Sequence, residues 1–322
     1  MTALEVEVDP GEAGFDAKRL GRLSTHLNKY VDKGLLPGVN VLVSRGEEIV
    51  YRHMYGARDM ERALPVEADT IYRFYSMTKP ITSIAIMQLY EQGLFQLKDP
   101  ISRWIPSFAG SQVFAGGDAL QPQTRDATRD ISVHDLLTHT SGLTYHFHMA
   151  HHVDEMYRRA GFDWTKSPGD LESQCDILAS LPLLFDPGSE WNYSYSTDVL
   201  GRLVEVMSGL SLDAYLKKNI FEPIGMVDTG FSVPDGQEER FASCYYPDGE
   251  TQKATLLDDA QRSRYLREPE AFSGGGGLVS TLGDYHRFTQ ALRSGGALNG
   301  KRIIGRKTLE FMTSNHLPGG VD

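Results

Sequence analysis

The sequence predicts a mixed fold, with an α/β portion joined to a mainly helical one. Two β-branched runs lie close together near the N-terminus, and from Ser76 onward come segments with helical apolar spacing and cap residues at their ends. A third observation sets the scale: 322 residues with 40% hydrophobic content can bury a large core and fill two subdomains.

In chain order, Asp16 caps a helix whose apolar positions Leu20, Leu23, Leu27, Tyr30 and Val31 recur at helical spacing up to Gly34. "GVNVLVSR" and "IVYRHMYG" follow as two antiparallel strands joined by the turn-forming "GEE". "ITSIAIMQLYEQG" is apolar on nearly every side, which predicts a fully buried helix. Pro80 sits in its first turn and Gly93 at its exit. "FAGGDALQPQTRDATRD" reads as a polar loop. "SVHDLLTHTSG" predicts a short helix with Ser132 as N-cap, Asp135 three residues on and Gly142 at the exit. "STDVLGRLVEVMSG", ended by Gly209, and "SLDAYLKKNIFEPIG" are two more helices. "SGGGGLVSTLGDYHRFTQALRSGG" is a glycine-rich turn feeding a helix that Thr281 caps, with Asp284 at the capping-box position.

Composition narrows the function. A net charge of -11 without a local basic patch argues against nucleic acid or an anionic membrane as partner, and points to a small molecule. Cys175 and Cys244 lack metal-ligand spacing, so neither a disulfide framework nor a metal is expected, and a reducing compartment is. The N-terminus has no basic, apolar leader and no run has the length of a membrane span, so the expected location is the cytoplasm. Nothing in the sequence sets an oligomeric state.

The chemistry begins at "YSMTK". Ser76 and Lys79 lie one helical turn apart on one face, so a hydroxyl and an amine would touch. An amine is one of the few side chains able to take a proton from a serine, and the positive end of a helix favours an anionic nucleophile there. The spacing alone is weak. With 24 serines and 11 lysines, chance supplies about 0.8 such pairs, and an N-cap serine beside a snorkelling lysine would look the same. A second motif is therefore needed, and "PGSEWNYSYSTDVLGRLVE" provides it: a tyrosine ahead of a helix, Tyr193, becomes the candidate general base.

"YSMTK", "LLTHTSGLTY", "PGSEWNYSYSTDVLG", "NIFEPIGMVDTGF" and "GGGGLVSTLGDYHRF" occur in the order that the β-lactamase-related serine hydrolases show. The resemblance covers the chain from about the first helix to residue 322. This family holds class C β-lactamases, D,D-peptidases and the family VIII carboxylesterases, and "WNYSYSTDVLG" is most similar to the esterases. The resemblance implies a β-lactamase/transpeptidase-like fold, an antiparallel sheet flanked by helices with a helical subdomain. Residues 1–74 and 225–322 would form the α/β subdomain and 75–224 the helical one, with the active site at their junction. It also implies that Ser76 is acylated, that Lys79 belongs to its base network, and that Tyr193 activates first the serine and then the deacylating water. Backbone N–H groups, one of them from Ser76, would hold the oxyanion. Tyr75, Trp191, Tyr195, Gly275 and Gly276 would line the substrate site, and no cofactor is implied.

Two departures qualify this. The β-lactamase tyrosine motif is Y-x-N, whose Asn holds the antibiotic's amide. Tyr195 occupies that place here, which favours ester substrates. The family's K-T-G or W-x-G edge-strand motif is not found before "SNHLPGGVD", so the C-terminal strands are expected to be missing from this chain and the α/β subdomain truncated.

Other constellations give way to blander readings. His146, His148, His151 and His152 with Asp154 and Glu155 lack a metal-ligand order and suit a site rim or lid. The run 274–277 lacks the following G-K-[ST] of a phosphate loop and reads as a tight turn beside the active-site wall. Asp198 reads as a cap or hydrogen-bond partner near Tyr193 rather than a triad acid. Trp191 and Tyr195 suit packing or an apolar acyl pocket. No serine carries G-x-S-x-G, which excludes an α/β-hydrolase. The expected activity is ester hydrolysis through an acyl-enzyme on Ser76. The alternatives are β-lactam hydrolysis, D,D-peptidase-like activity or acyl transfer on the same site, and, of another class, a non-catalytic relative that binds peptide or cell-wall fragments.

Overall fold

The computed structural model describes residues 5–163, 168–317 and 319. The first elements are α1 (Ala17–Asp32), β1 (Gly38–Arg45), β2 (Glu48–Asp59), β3 (Leu64–Pro65), β4 (Ile71–Arg73), α2 (Thr78–Glu91), β5 (Gln112–Gly117) and β6 (Pro122–Asp126). Next come α3 (Val133–Leu137), α4 (His152–Arg159), α5 (Leu171–Ser180), α6 (Ser196–Ser208), α7 (Leu212–Leu216) and α8 (Glu222–Ile224). The chain continues through β7 (Cys244–Pro247), β8 (Ala254–Asp258), β9 (Val279–Thr281), α9 (Leu282–Arg293), β10 (Ala297–Leu298), β11 (Lys301–Arg302) and α10 (Arg306–Met312). Two compact units result: 1–74, 225–269 and 278–293 form one, and 75–224, 270–277 and 294–322 the other.

In the first unit, β1, β2 and β3 form an antiparallel sheet in that order, with Val41 opposite His53 and a bulge at Val43/Ser44. Asp16 caps α1 by accepting from Arg19 N at 3.1 Å. β4 pairs with β9, so Ile71 and Val279 meet Val233, Phe241, Ala260 and Tyr265 in a buried cluster. Thr281 Oγ1 accepts from Asp284 N at 3.1 Å, as a cap should. The return half of the expected capping box is absent, because the Asp284 carboxylate is taken by Asp228 N and Thr229 Oγ1.

The second unit is built around α2 and α6. Ile81, Ile84, Ile86, Met87 and Leu89 of α2 are almost wholly buried, each contributing about 1.5–3 kcal/mol of apolar burial. α6 packs on α2, α3, α5 and α7 and ends at Gly209 in the left-handed region, φ 70°. Gly201 permits close approach: a Cβ there would lie 2.9 Å from Leu212 Cδ2 and 3.5 Å from Gly274 Cα. The segment after α9 is tied to α2 by two bonds, Gln88 Nε2 to the Ile303 carbonyl at 2.7 Å and Gly305 N to Glu91 Oε1 at 2.8 Å.

Three expectations on this unit are corrected. The segment read as a polar loop holds the β5–β6 hairpin, whose second strand is exposed along its length and so carries no apolar alternation. Helix α3 has the predicted capping box between Ser132 and Asp135 but stops at Leu137, not near Gly142. Gly142 serves a later turn, at φ 85° with a Cβ position 2.5 Å from the Phe185 carbonyl. The helix predicted over 211–225 is interrupted by a π turn at Lys217–Phe221.

Candidate active site

A 3-10 turn, Tyr75–Met77, leads into α2 and carries Ser76 at the exposed start of that buried helix. Tyr75 holds φ 44°, a left-handed conformation that a side-chain-bearing residue seldom adopts and that strains the turn beside Ser76. Tyr193 Oη donates to Ser76 Oγ at 2.5 Å, and Lys79 Nζ donates to the same Oγ at 3.2 Å. Lys79 Nζ also donates to the Gly275 carbonyl at 2.7 Å. It lies 4.5 Å from the Tyr193 ring centroid and 5.4 Å from that of Tyr145, so its charge faces two π clouds as well as the hydroxyl pair. A cation in that place stabilises negative charge on either oxygen.

Tyr193 is held by its neighbours in sequence. Asn192 N donates to the His139 carbonyl at 2.9 Å, Asn192 Nδ2 to the Leu143 carbonyl at 3.0 Å, and Tyr195 N to the Thr144 carbonyl at 3.3 Å. His139 Nδ1 meets Ser194 Oγ at 3.2 Å, and the buried hydroxyls of Ser194, Ser196 and Ser141 continue the chain at 2.8 Å each. The His139 ring lies 5.0 Å from that of Tyr193. Burial, with the Lys79 charge second, pushes the His139 imidazole down to about 4, so it is neutral at pH 7. Burial first, then the Asp198 charge, pushes the Tyr145 phenol well above its ordinary value, which leaves it a neutral donor.

The three catalytic expectations, Ser76, Lys79 and Tyr193, thus lie together in the second unit. Of the substrate-site residues, Tyr75 is exposed beside Ser76, and Trp191 is 56% exposed with its ring nearly parallel to Tyr193, centroids 6.5 Å apart. Gly275 gives its carbonyl to Lys79, and a Cβ on Gly276 would lie 3.7 Å from the Tyr75 backbone. Tyr195 is committed elsewhere: its hydroxyl and His146 Nδ1 are 2.6 Å apart, and its ring packs against Tyr145 and Phe162. His148 meets Thr144 Oγ1 at 3.3 Å and His151 caps α4, so these imidazoles serve local structure. Among the described residues no three His, Cys, Asp or Glu side chains are grouped to hold a metal ion, and no helix is long and apolar enough to cross a membrane.

The β-lactamase family profile matches residues 23–321. The chain belongs to the β-lactamase family of serine hydrolases. Esterase EstB of Burkholderia gladioli is 33% identical over 317 residues, spanning 91% of this chain and 75% of that protein. Among solved structures, EstCE1, described as a hydrolase with promiscuous acyltransferase activity, superposes with a TM-score of 0.75 at 28% identity, over 91% of this chain and 75% of that one. Unliganded simvastatin synthase LovD from Aspergillus terreus gives a TM-score of 0.77 at 26% identity, over 94% of this chain and 74% of that one. These matches bear out the fold of a β-lactamase/transpeptidase-like protein.

Sequence reasoning missed His139, Tyr145 and Ser273 as members of the site. All three fall inside or beside segments with a family likeness, but local spacing says nothing of which face Tyr193 or Lys79. Asp198, read as a cap or a partner near Tyr193, accepts instead from Ser273 Oγ at 2.5 Å and Gly275 N at 3.2 Å.

Proposed function

We propose that the chain hydrolyses carboxylic esters through an acyl-enzyme on Ser76. The observation that supports this most is the convergence of Tyr193 Oη and Lys79 Nζ on one serine oxygen. The reaction starts from Tyr193 as the phenolate beside the Lys79 ammonium, with the hydrogen bond reversed: Ser76 Oγ attacks the ester carbonyl carbon and its proton passes to Tyr193 Oη. Collapse of the tetrahedral adduct breaks the ester C–O bond, and the departing alkoxide takes the proton from Tyr193. Water then attacks the acyl carbon, giving its proton to Tyr193, and Ser76 Oγ recovers it as the acyl bond breaks. A module that only binds needs no amine and phenol converging on one hydroxyl.

Two finer points follow. Tyr195, at the place of the β-lactamase Asn and engaged with His146, offers no amide to an antibiotic side chain, which favours esters over β-lactams. Acyl transfer to an alcohol is the second reading. Its support is the aromatic wall of Trp191, Tyr193 and Tyr145 beside Ser76, which suits an apolar acceptor, together with the likeness to EstCE1 and LovD.

The test is turnover of p-nitrophenyl butyrate with and without an added alcohol. Hydrolysis that Ser76→Ala abolishes supports the reading, and a butyrate ester of the alcohol among the products supports transfer. Unchanged turnover in Ser76→Ala sinks both.

A further inference from the structure

We infer that Asp198 is a positioning residue of this reaction, holding the Ser273–Gly275 turn so that the Gly275 carbonyl fixes Lys79 against Ser76. The inference rests on the acyl-enzyme reading above and adds to it a residue that touches none of the reacting atoms. Asp198 sits in the first turn of α6, five residues after Tyr193, and is 3% exposed. Its Oδ1 accepts from Ser273 Oγ at 2.5 Å and from Gly275 N at 3.2 Å. From the same Gly275 the carbonyl accepts Lys79 Nζ at 2.7 Å, and Lys79 reaches Ser76 Oγ at 3.2 Å. An unbroken line of hydrogen bonds therefore runs from a buried carboxyl to the nucleophile.

The surroundings leave that line little freedom. Thr82 Oγ1 of α2 donates to the Gly274 carbonyl at 2.8 Å, pinning the turn from the helix that carries Lys79. A Cβ on Gly274 would lie 2.6 Å from the Thr197 carbonyl, and one on Gly275 would lie 2.3 Å from Asp198 Oδ2. The turn is thus pressed against the start of α6 with no room for a side chain. Asp198 forms no ion pair among the described residues, and burying a carboxyl without one is costly. The cost is offset by the two hydrogen bonds that its Oδ1 accepts, which tie the start of α6 to the turn.

The test is a double-mutant cycle on the rate at which p-nitrophenyl butyrate acylates the full chain, followed by intact mass. Asp198→Ala, which removes the acceptor of both bonds, is expected to slow acylation about 100-fold, the scale of a misplaced catalytic group, with KM little changed. In a Lys79→Ala background the same substitution is expected to cost less than about 2-fold, because the group it positions is gone. A merely structural role predicts equal losses in both backgrounds, and that result, or wild-type acylation by Asp198→Ala, overturns the inference. Ser273→Ala, which removes one donor and leaves the carboxyl, goes through the same cycle with an expected loss of about 10-fold and decides the matter should Asp198→Ala fail to fold. Absence of any adduct on the unsubstituted chain refutes the acyl-enzyme reading itself, a different outcome from additive losses on an active one.

Discussion

Gly275→Ala puts the whole arrangement under a single methyl group. The added Cβ would lie 2.3 Å from Asp198 Oδ2, 3.0 Å from Asp198 Cγ and 3.1 Å from Tyr145 Oη. An ordinary contact begins near 3.4 Å, so the carboxylate and the turn must separate by about 1 Å. Asp198 is buried on α6 and Tyr145 is 6% exposed, so neither can swing into solvent. Overpacking of this kind costs about 1–3 kcal/mol. The same displacement moves the Gly275 carbonyl that takes the Lys79 hydrogen bond, and a 1 Å error in a catalytic group costs about 100-fold in rate. Steady-state kcat/KM on p-nitrophenyl butyrate and a thermal melt read the two effects separately. Gly276→Ala is the stability control, because its Cβ would meet nothing nearer than 3.7 Å. Wild-type melting and wild-type turnover in Gly275→Ala would refute the reasoning about this turn.

Three further outcomes are expected. Tyr193→Phe keeps the ring and removes the oxygen 2.5 Å from Ser76 Oγ, so kcat/KM should fall by about 10²–10⁴, the range for a general acid–base group; a change under 3-fold would remove Tyr193 from the mechanism. Because burial holds His139 down at about 4 in the folded chain while 6.5 is its unfolded value, the unfolded chain binds the proton first as pH falls. The stability that neutral His139 contributes is therefore present above pH 6.5 and lost between 6.5 and 4, by about 3 kcal/mol. His139→Asn, which tolerates the φ of 56° at this position, should flatten that acid limb in urea titrations at several pH values, and an unchanged slope would contradict it. Ile84→Ala empties a 1% exposed site in α2 and should cost about 2–5 kcal/mol in chemical denaturation, against less than 1 kcal/mol if the helix were surface-mounted.

How far the sequence carries can be seen in particular residues. The caps at Asp16 and at Ser132 with Asp135, and the left-handed stop at Gly209, were legible because each is a local device within a few residues of its partner. The Ser76–Lys79 pair was legible for the same reason: helical geometry fixes that spacing. The β5–β6 hairpin was not, since its exposed second strand buries no face and so leaves no alternation to read. The π turn at 217–221 leaves no apolar signature either, because both kinds of helix bury Ile220 and Phe221. The meeting of Tyr193 with Ser76 spans 117 positions in sequence, and only an ordered likeness to a family pointed to it. The Asp198–Gly275 contact spans 77, and without that likeness a carboxylate in a first helical turn reads as a helix-dipole partner.

The central claim is that Lys79 and Tyr193 converge on Ser76 to make it an acyl acceptor. Its most direct measurement is to mix the chain with p-nitrophenyl butyrate, quench in acid within the first turnover, and map the adduct by peptide mass analysis. The account predicts one butyryl group, on the peptide carrying Ser76, formed at the rate of the p-nitrophenol burst and lost in Ser76→Ala. An adduct on another residue, or p-nitrophenol release that proceeds at the wild-type rate in Ser76→Ala, would contradict it.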